Sequence, residues 1–184
     1  TVVLTGVGTT EKFYRVAKSL FSGITWSQVK SIVITAVKGQ AAASGTLNIR
    51  LGDHPWTTRV GNDPTADAGS ISHLSGIYQW VGFDSDGTGP SATNSFSQTS
   101  ATQGALTFGG LDANGEFSGA ITSFDDFGTT AVETEDLSAL TDFVVGLRLL
   151  SGTGDFEFVV EDTDSQSTVV LTGVGTTEKF YRVA

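Results

Sequence analysis

Residues 1–17 of this chain, Thr-Val-Val-Leu-Thr-Gly-Val-Gly-Thr-Thr-Glu-Lys-Phe-Tyr-Arg-Val-Ala, return without a substitution as residues 168–184. Identity over 17 consecutive positions at a separation of 167 residues is beyond chance and beyond ordinary drift. Any fold of this chain must therefore accommodate its opening segment again at its close. Three arrangements do so. The chain is a window from a tandem array of near-identical units of 167 residues, or a chain built with a deliberately overlapping end, or one copy completes its own unit while the other completes a neighbour. On this reading residues 1–167 form one repeat unit, and residues 168–184 begin the next repeat or supply a strand to a neighbouring unit.

A unit of 167 residues is the size of one ordinary domain and buries enough surface to fold without disulfides or metals. The chain has no cysteine, which removes disulfides, thiolate metal sites and cysteine nucleophiles. It also lacks methionine and opens at Thr1 without a charged or apolar leader, as expected of a piece of something longer. No apolar run approaches the ~18 residues of a membrane span, so no membrane insertion is expected. The net charge is −10, and because each copy of the repeat carries Glu, Lys and Arg for +1, the unit without its second copy stands at −11. Nucleic acid is a poor partner for such a surface, and cations are better ones. An acidic chain rich in Thr, Ser and Gly suits an extracellular or cell-surface setting.

Alternation with a period of two dominates wherever apolar residues cluster, and sustained helical stripes are missing. Strands are expected at Val2–Gly6, Glu11–Ala17, Ser31–Val37, Thr46–Leu51, Ile77–Phe83, Ala105–Phe108, Glu116–Phe124, Asp142–Leu150 and Asp155–Glu161. In the last, Phe156, Phe158 and Val160 alternate with Glu157, Val159 and Glu161, giving one core face and one mostly wet face. Ser31–Val37 is apolar on both faces, as a central strand is. Turn chemistry at Gly39, Asp86-Gly87, Asn114-Gly115 and Gly152-Thr153-Gly154 separates the runs. The expected fold is all-β, a β-sandwich or jelly roll of about nine to ten strands with minimal helix. Gly87–Gly104 is polar and nearly devoid of large apolar residues apart from Phe96, and reads as an exposed loop.

A fainter echo aligns Trp26-Ser-Gln-Val-Lys-Ser-Ile-Val-Ile34 with Leu137-Ser-Ala-Leu-Thr-Asp-Phe-Val-Val145, each a polar turn that plugs an apolar residue under the sandwich before a strand. The run from Asp136 through Leu-Ser-Ala-Leu-Thr-Asp-Phe-Val-Val-Gly-Leu-Arg-Leu-Leu-Ser-Gly-Thr-Gly-Asp-Phe-Glu-Phe-Val-Val-Glu to Asp162 resembles the closing strands of galactose-binding-like jelly-roll modules. That resemblance implies a structural calcium near the end of the terminal strand, where Asp162 or Asp164 would match. The duplicated segment is similar in kind to the repeats of tandem-repeat bacterial surface fibres and adhesins.

Each copy of the duplicated segment reads as a hairpin or as two strands of different sheets. Head-to-tail contact between copies of the chain would propagate into a filament. Such strand addition would use Val2, Leu4, Phe13, Tyr14 and Val16, or their counterparts Val169, Leu171, Phe180, Tyr181 and Val183. Calcium has oxygen-rich candidates in Asp84 and Asp86 of the turn Phe83-Asp-Ser-Asp-Gly-Thr-Gly89, in Asp112, and in Asp162 with Asp164. Taken one at a time, the same residues read first as solvated turns of an acidic protein. A glycan platform would need an exposed aromatic with polar neighbours: His54 and Trp56 come first, then Tyr78. Catalysis has no defensible signature: His54 and His73 are the only histidines, no Gly-x-Ser-x-Gly elbow occurs, and Asp125 with Glu133 is a pair expected anyway among 20 acids. The expected role is a structural repeat of an extracellular filament or surface protein, with a carbohydrate-binding module as the alternative.

Overall fold

The computed structural model describes residues 12–50, 81–84, 93–100, 103–111, 116–125, 130–139 and 142–174. Ten strands lie among them: β1 (Lys12–Ala17), β2 (Val29–Val37), β3 (Gly45–Arg50), β4 (Val81–Asp84), β5 (Thr93–Ser100), β6 (Gln103–Gly109), β7 (Phe117–Ser123), β8 (Asp142–Leu149), β9 (Gly154–Asp162) and β10 (Gln166–Val174). A single 3-10 turn at Lys18–Leu20 is the helical element among the described residues. Two five-stranded antiparallel sheets, ordered β1-β8-β3-β6-β5 and β10-β9-β2-β7-β4, pack face to face.

The pairings β5–β6, β4–β7, β3–β8 and β2–β9 are nested, as in one long hairpin folded over on itself across two sheets. Such a rolled hairpin is the jelly-roll arrangement. Around it β1 joins the edge of the first sheet on β8, and β10 joins the edge of the second on β9. These two edge strands lie on the same flank, where their backbones approach one another.

The core follows the alternation. Phe156, Phe158 and Val160 of β9 and Ile32, Ile34 and Ala36 of β2 are buried from one sheet. Leu47, Leu106, Phe108, Val145 and Leu147 meet them from the other, with the Phe108 and Phe156 rings edge to face at 5.9 Å. β2 is central, between β7 and β9, as its two apolar faces require. Its outward Val33 and the outward Val159 beside it are 5% and 7% exposed, so the outer face of this sheet is less wet than the Glu157 and Glu161 alternation suggests.

Thr93–Ser100 is a strand and not the loop expected across Gly87–Gly104. Its alternation is written in small polar residues: Ser95 and Ser97 are exposed while Asn94 and Phe96 are half-buried. Periodicity in apolar residues cannot register such an edge strand. Phe96 lies over Gly104, diagonally across the β5–β6 pair, so the ring covers a backbone that carries no side chain.

Opposite the β1 and β10 flank, the Asn94 side chain of β5 bridges the two sheets. Its amide nitrogen donates to Ser118 Oγ at 2.9 Å and to the Gly119 carbonyl at 2.8 Å, both on β7. A Cβ at Gly82 on β4 would run into the Asn94 side-chain oxygen. Gly82→Ala should therefore displace this bridge and cost about 1–3 kcal/mol. Asn94→Ala should cost a similar amount, and urea melts of the double variant should lose little beyond either single one, because both changes remove the same bridge.

Candidate functional site

The duplicated segment enters the sandwich twice, through different halves. From the first copy, Lys12–Ala17 forms β1 in one sheet; from the second, Thr168–Val174 completes β10 in the other. Residue 167 lies inside β10, so the described part of the second copy continues a strand that begins before it. Val16, Val169, Leu171 and Val174 are all buried. Val2, Leu4, Phe180, Tyr181 and Val183 lie outside the described residues, while Phe13 and Tyr14 are placed on β1 by their backbone.

The strand ends define the geometry of this seam. Lys12 at the start of β1 pairs with Leu147 near the end of β8, and Val174 at the end of β10 pairs with Gly154 at the start of β9. β8 and β9 are joined by the four residues 150–153, which cross from one sheet to the other with Gly152 at φ 76°. The end of β10 and the start of β1 therefore stand at the same end of the sandwich, one on each sheet. A bulge between Leu171 and Val174 bends β10 as it approaches that end, which also blunts an exposed edge.

At the opposite end a plug closes the core beneath the seam. Phe21, 5% exposed, packs on Phe158 and Trp26 with ring centroids 5.9 Å away in each case. Trp26 lies partly buried against the core, and its carbonyl accepts the Leu137 backbone N–H at 2.8 Å, so the two echoed runs meet here. The plug has a deeper member, Phe21, which the echo did not single out. Lys18 Nζ stands 4.7 Å from the Trp26 ring centroid and donates to the Ser138 carbonyl at 2.7 Å. Burial lowers the Lys18 pKa, against the pull of the Asp136 carboxylate.

Asp162 ties plug and seam together. It is 2% exposed at the end of β9. Its Oδ1 accepts the backbone N–H groups of Asp164 and Ser165 at 2.8 and 2.6 Å and the Ser165 hydroxyl at 3.0 Å. Its Oδ2 accepts the Thr25 N–H at 2.5 Å. Both oxygens are thus occupied by donors from the β9–β10 turn and the plug, so here the residue organises a turn. Ser165 Oγ also lies 2.8 Å from the Gly23 carbonyl, so its one proton is shared between that oxygen and Asp162 Oδ1, and the Ser22 N–H donates to Ser167 Oγ at 3.1 Å. β10 is thereby set in register at its start, before the repeated sequence begins at Thr168.

Among the other candidate ligands, Asp164 is exposed beside Asp162, Asp84 ends β4, and Asp86 and Asp112 lie outside the described residues. Among the described residues no group of three or more acidic or histidine side chains is gathered at metal-binding geometry. His54, Trp56 and Tyr78, the glycan candidates, also lie outside the described residues, as does His73. Asp125 Oδ1 accepts the Glu133 backbone N–H at 3.2 Å, a loop-closing contact between the two acids noted as a pair. On the outer face of the second sheet, Val33, Thr35, Glu157, Val159 and Thr168 line a shallow groove of about 340 Å³ whose rim includes β10. No described helix is long and apolar enough to cross a membrane. Comparison of the chain with protein-family models, with curated proteins and with solved structures finds no match.

Proposed function

We propose that this chain is a structural repeat unit of an extracellular filament or giant cell-surface protein, its units joined head to tail through the duplicated segment. One observation carries the reading: the first half of the second copy closes this sandwich as β10, and the second half, Lys179–Ala184, repeats the sequence of β1. One copy thus serves two neighbours, closing one unit and opening the next. Only Gly175-Thr-Thr-Glu178 would separate them, four residues with a reach of about 15 Å. A join that short supports stiff neighbours in place of loosely strung beads. The acidic surface and the lack of cysteine suit an extracellular setting, and the regular period suits a fibre or adhesin stalk.

The test is a chain of two periods, residues 1–167 followed by residues 1–184, viewed by negative-stain electron microscopy. Two sandwiches at one preferred spacing and angle are expected, and that preference should vanish when eight Gly and Ser residues follow the central Glu178. Two units that already adopt all angles without the insertion would overturn the reading.

A further inference from the structure

The seam is built from two edge strands, and the part of each that belongs to the duplicated segment has a sequence-identical understudy elsewhere in the same polypeptide. β10 lies on β9 through Thr168–Val174, which Thr1–Val7 repeats; β1 lies on β8 through Lys12–Ala17, which Lys179–Ala184 repeats. Identical sequence brings identical side chains to the same register, so each place on the sheet is matched equally by either copy. Exchange is confined to positions where it is topologically simple. An edge strand has one ladder to break, while a central strand has two.

Tether length decides whether an understudy can reach. Thr1–Val7 is joined to β1 by Gly8-Thr-Thr-Glu11, four residues. The start of β1 and the end of β10 are paired with the strands that residues 150–153 connect, also four residues. Packed sheets lie about 10 Å apart, and four residues with their flanking bonds reach about 15 Å. The crossing that carries β8 into β9 is thus a working precedent, in the same sandwich, for one that carries Thr1–Val7 into β1. The direction is right as well: such a strand would leave the β10 position at the Gly154 end and enter β1 at Lys12.

We propose that the place of β10 on β9 is an exchange site whose alternative occupant is Thr1–Val7 of the same chain, carried there by the Gly8–Glu11 crossing. Two closed arrangements of one sandwich follow. In one, β10 comes from the second copy through the Asp162 turn; in the other, the first copy supplies both edge strands and releases Thr168–Ala184. This inference concerns a single chain in dilute solution and does not rest on the head-to-tail reading.

Charge placed at one position in each copy tests it. Leu171 is fully buried, and its counterpart is Leu4. Thermal melts should be followed for the 184-residue chain carrying Leu4→Asp, Leu171→Asp or both, at concentrations where the protein sediments as a monomer. Each single variant is expected to keep a cooperative melt within about 10 °C of the parent, the intact copy taking the site. The double variant should lose its cooperative melt. A Leu171→Asp chain that fails as completely as the double variant overturns the proposal, because the first copy would then give no cover. A Leu4→Asp chain that fails alone, or a double variant that melts with the parent, overturns it too.

Discussion

Replacing Phe158 with alanine is expected to lower stability by about 3–5 kcal/mol. Phe158 is fully buried at the middle of β9, paired with Ile34 of the central strand on one side and with Val169 of the duplicated segment on the other. Its ring also meets Phe21 of the plug. Removing it takes the partner from all three at once, and strands held by ladders on both sides cannot close in to fill the void. Domains usually have about 5–15 kcal/mol of stability in total, so this single change consumes a large part of it. The melting temperature should fall by roughly 10 °C, with a matching fall in the urea midpoint at unchanged slope. Phe96→Ala should cost much less, because that ring is only half-buried over Gly104 near a sheet edge. A Phe158→Ala protein within about 1 kcal/mol of the parent would mean that β9 is not the centre of the packing.

The contrast between Phe158 and Phe96 marks where the sequence was legible. Strands whose inward positions are filled by large apolar residues, such as β9, β8 and β3, declare themselves by alternation. β2 declares its central place by being apolar on both faces. β5 has one large inward residue and a face of serines, so hydrophobic periodicity passes over it. Its real signals are the glycine across the pair and the asparagine that reaches the opposite sheet, and both depend on partners distant in sequence. Trp26 was legible as a plug because a polar turn precedes a buried strand. Phe21 was not, since nothing local says which of two aromatics five residues apart turns inward.

The duplicated segment was legible as strand-forming, but not which sheet each of its described parts joins. Each copy reads from its sequence as a hairpin or as two strands of different sheets; the described parts are the end of the first copy, on β8, and the start of the second, on β9. Where each described part lands depends on what flanks it. The second copy follows the Asp162 turn, which delivers Thr168 directly onto β9, while the last residues of the first copy run into the plug and place β1 on β8. Asp162 reads in the sequence both as a calcium candidate and as a turn residue, because an acidic turn and an oxygen ligand set share one composition. Distinguishing them requires knowing where the backbone N–H groups point: two belong to its own β9–β10 turn, and one comes from Thr25 of the plug, 137 residues away along the chain.

Asp162 therefore yields the other large effect. Burial by itself would raise the pKa of this carboxyl, but the N–H groups of Thr25, Asp164 and Ser165, with the Ser165 hydroxyl, outweigh it and hold the value at about 2. An ordinary aspartate titrates near 4 in an unfolded chain, so the unfolded state takes up the proton first as the pH falls. The contribution of Asp162 is thus complete above pH ~4 and is lost between pH ~4 and ~2. Asp162→Asn should cost about 2–4 kcal/mol at neutral pH: one amide oxygen can still serve the Asp164 and Ser165 donors, but the amide nitrogen then faces the Thr25 N–H, donor against donor. Asp162→Ala should cost at least as much, leaving buried N–H groups without an acceptor. In melts from pH 7 to pH 2 the parent should lose its advantage over Asp162→Asn below pH ~4, the two curves converging as the carboxyl protonates. A constant gap across that range would show that the charge is not what the donors hold. Because the same carboxyl anchors the start of β10, acid should also free the second copy of the repeated strand before it loosens the rest of the sheet.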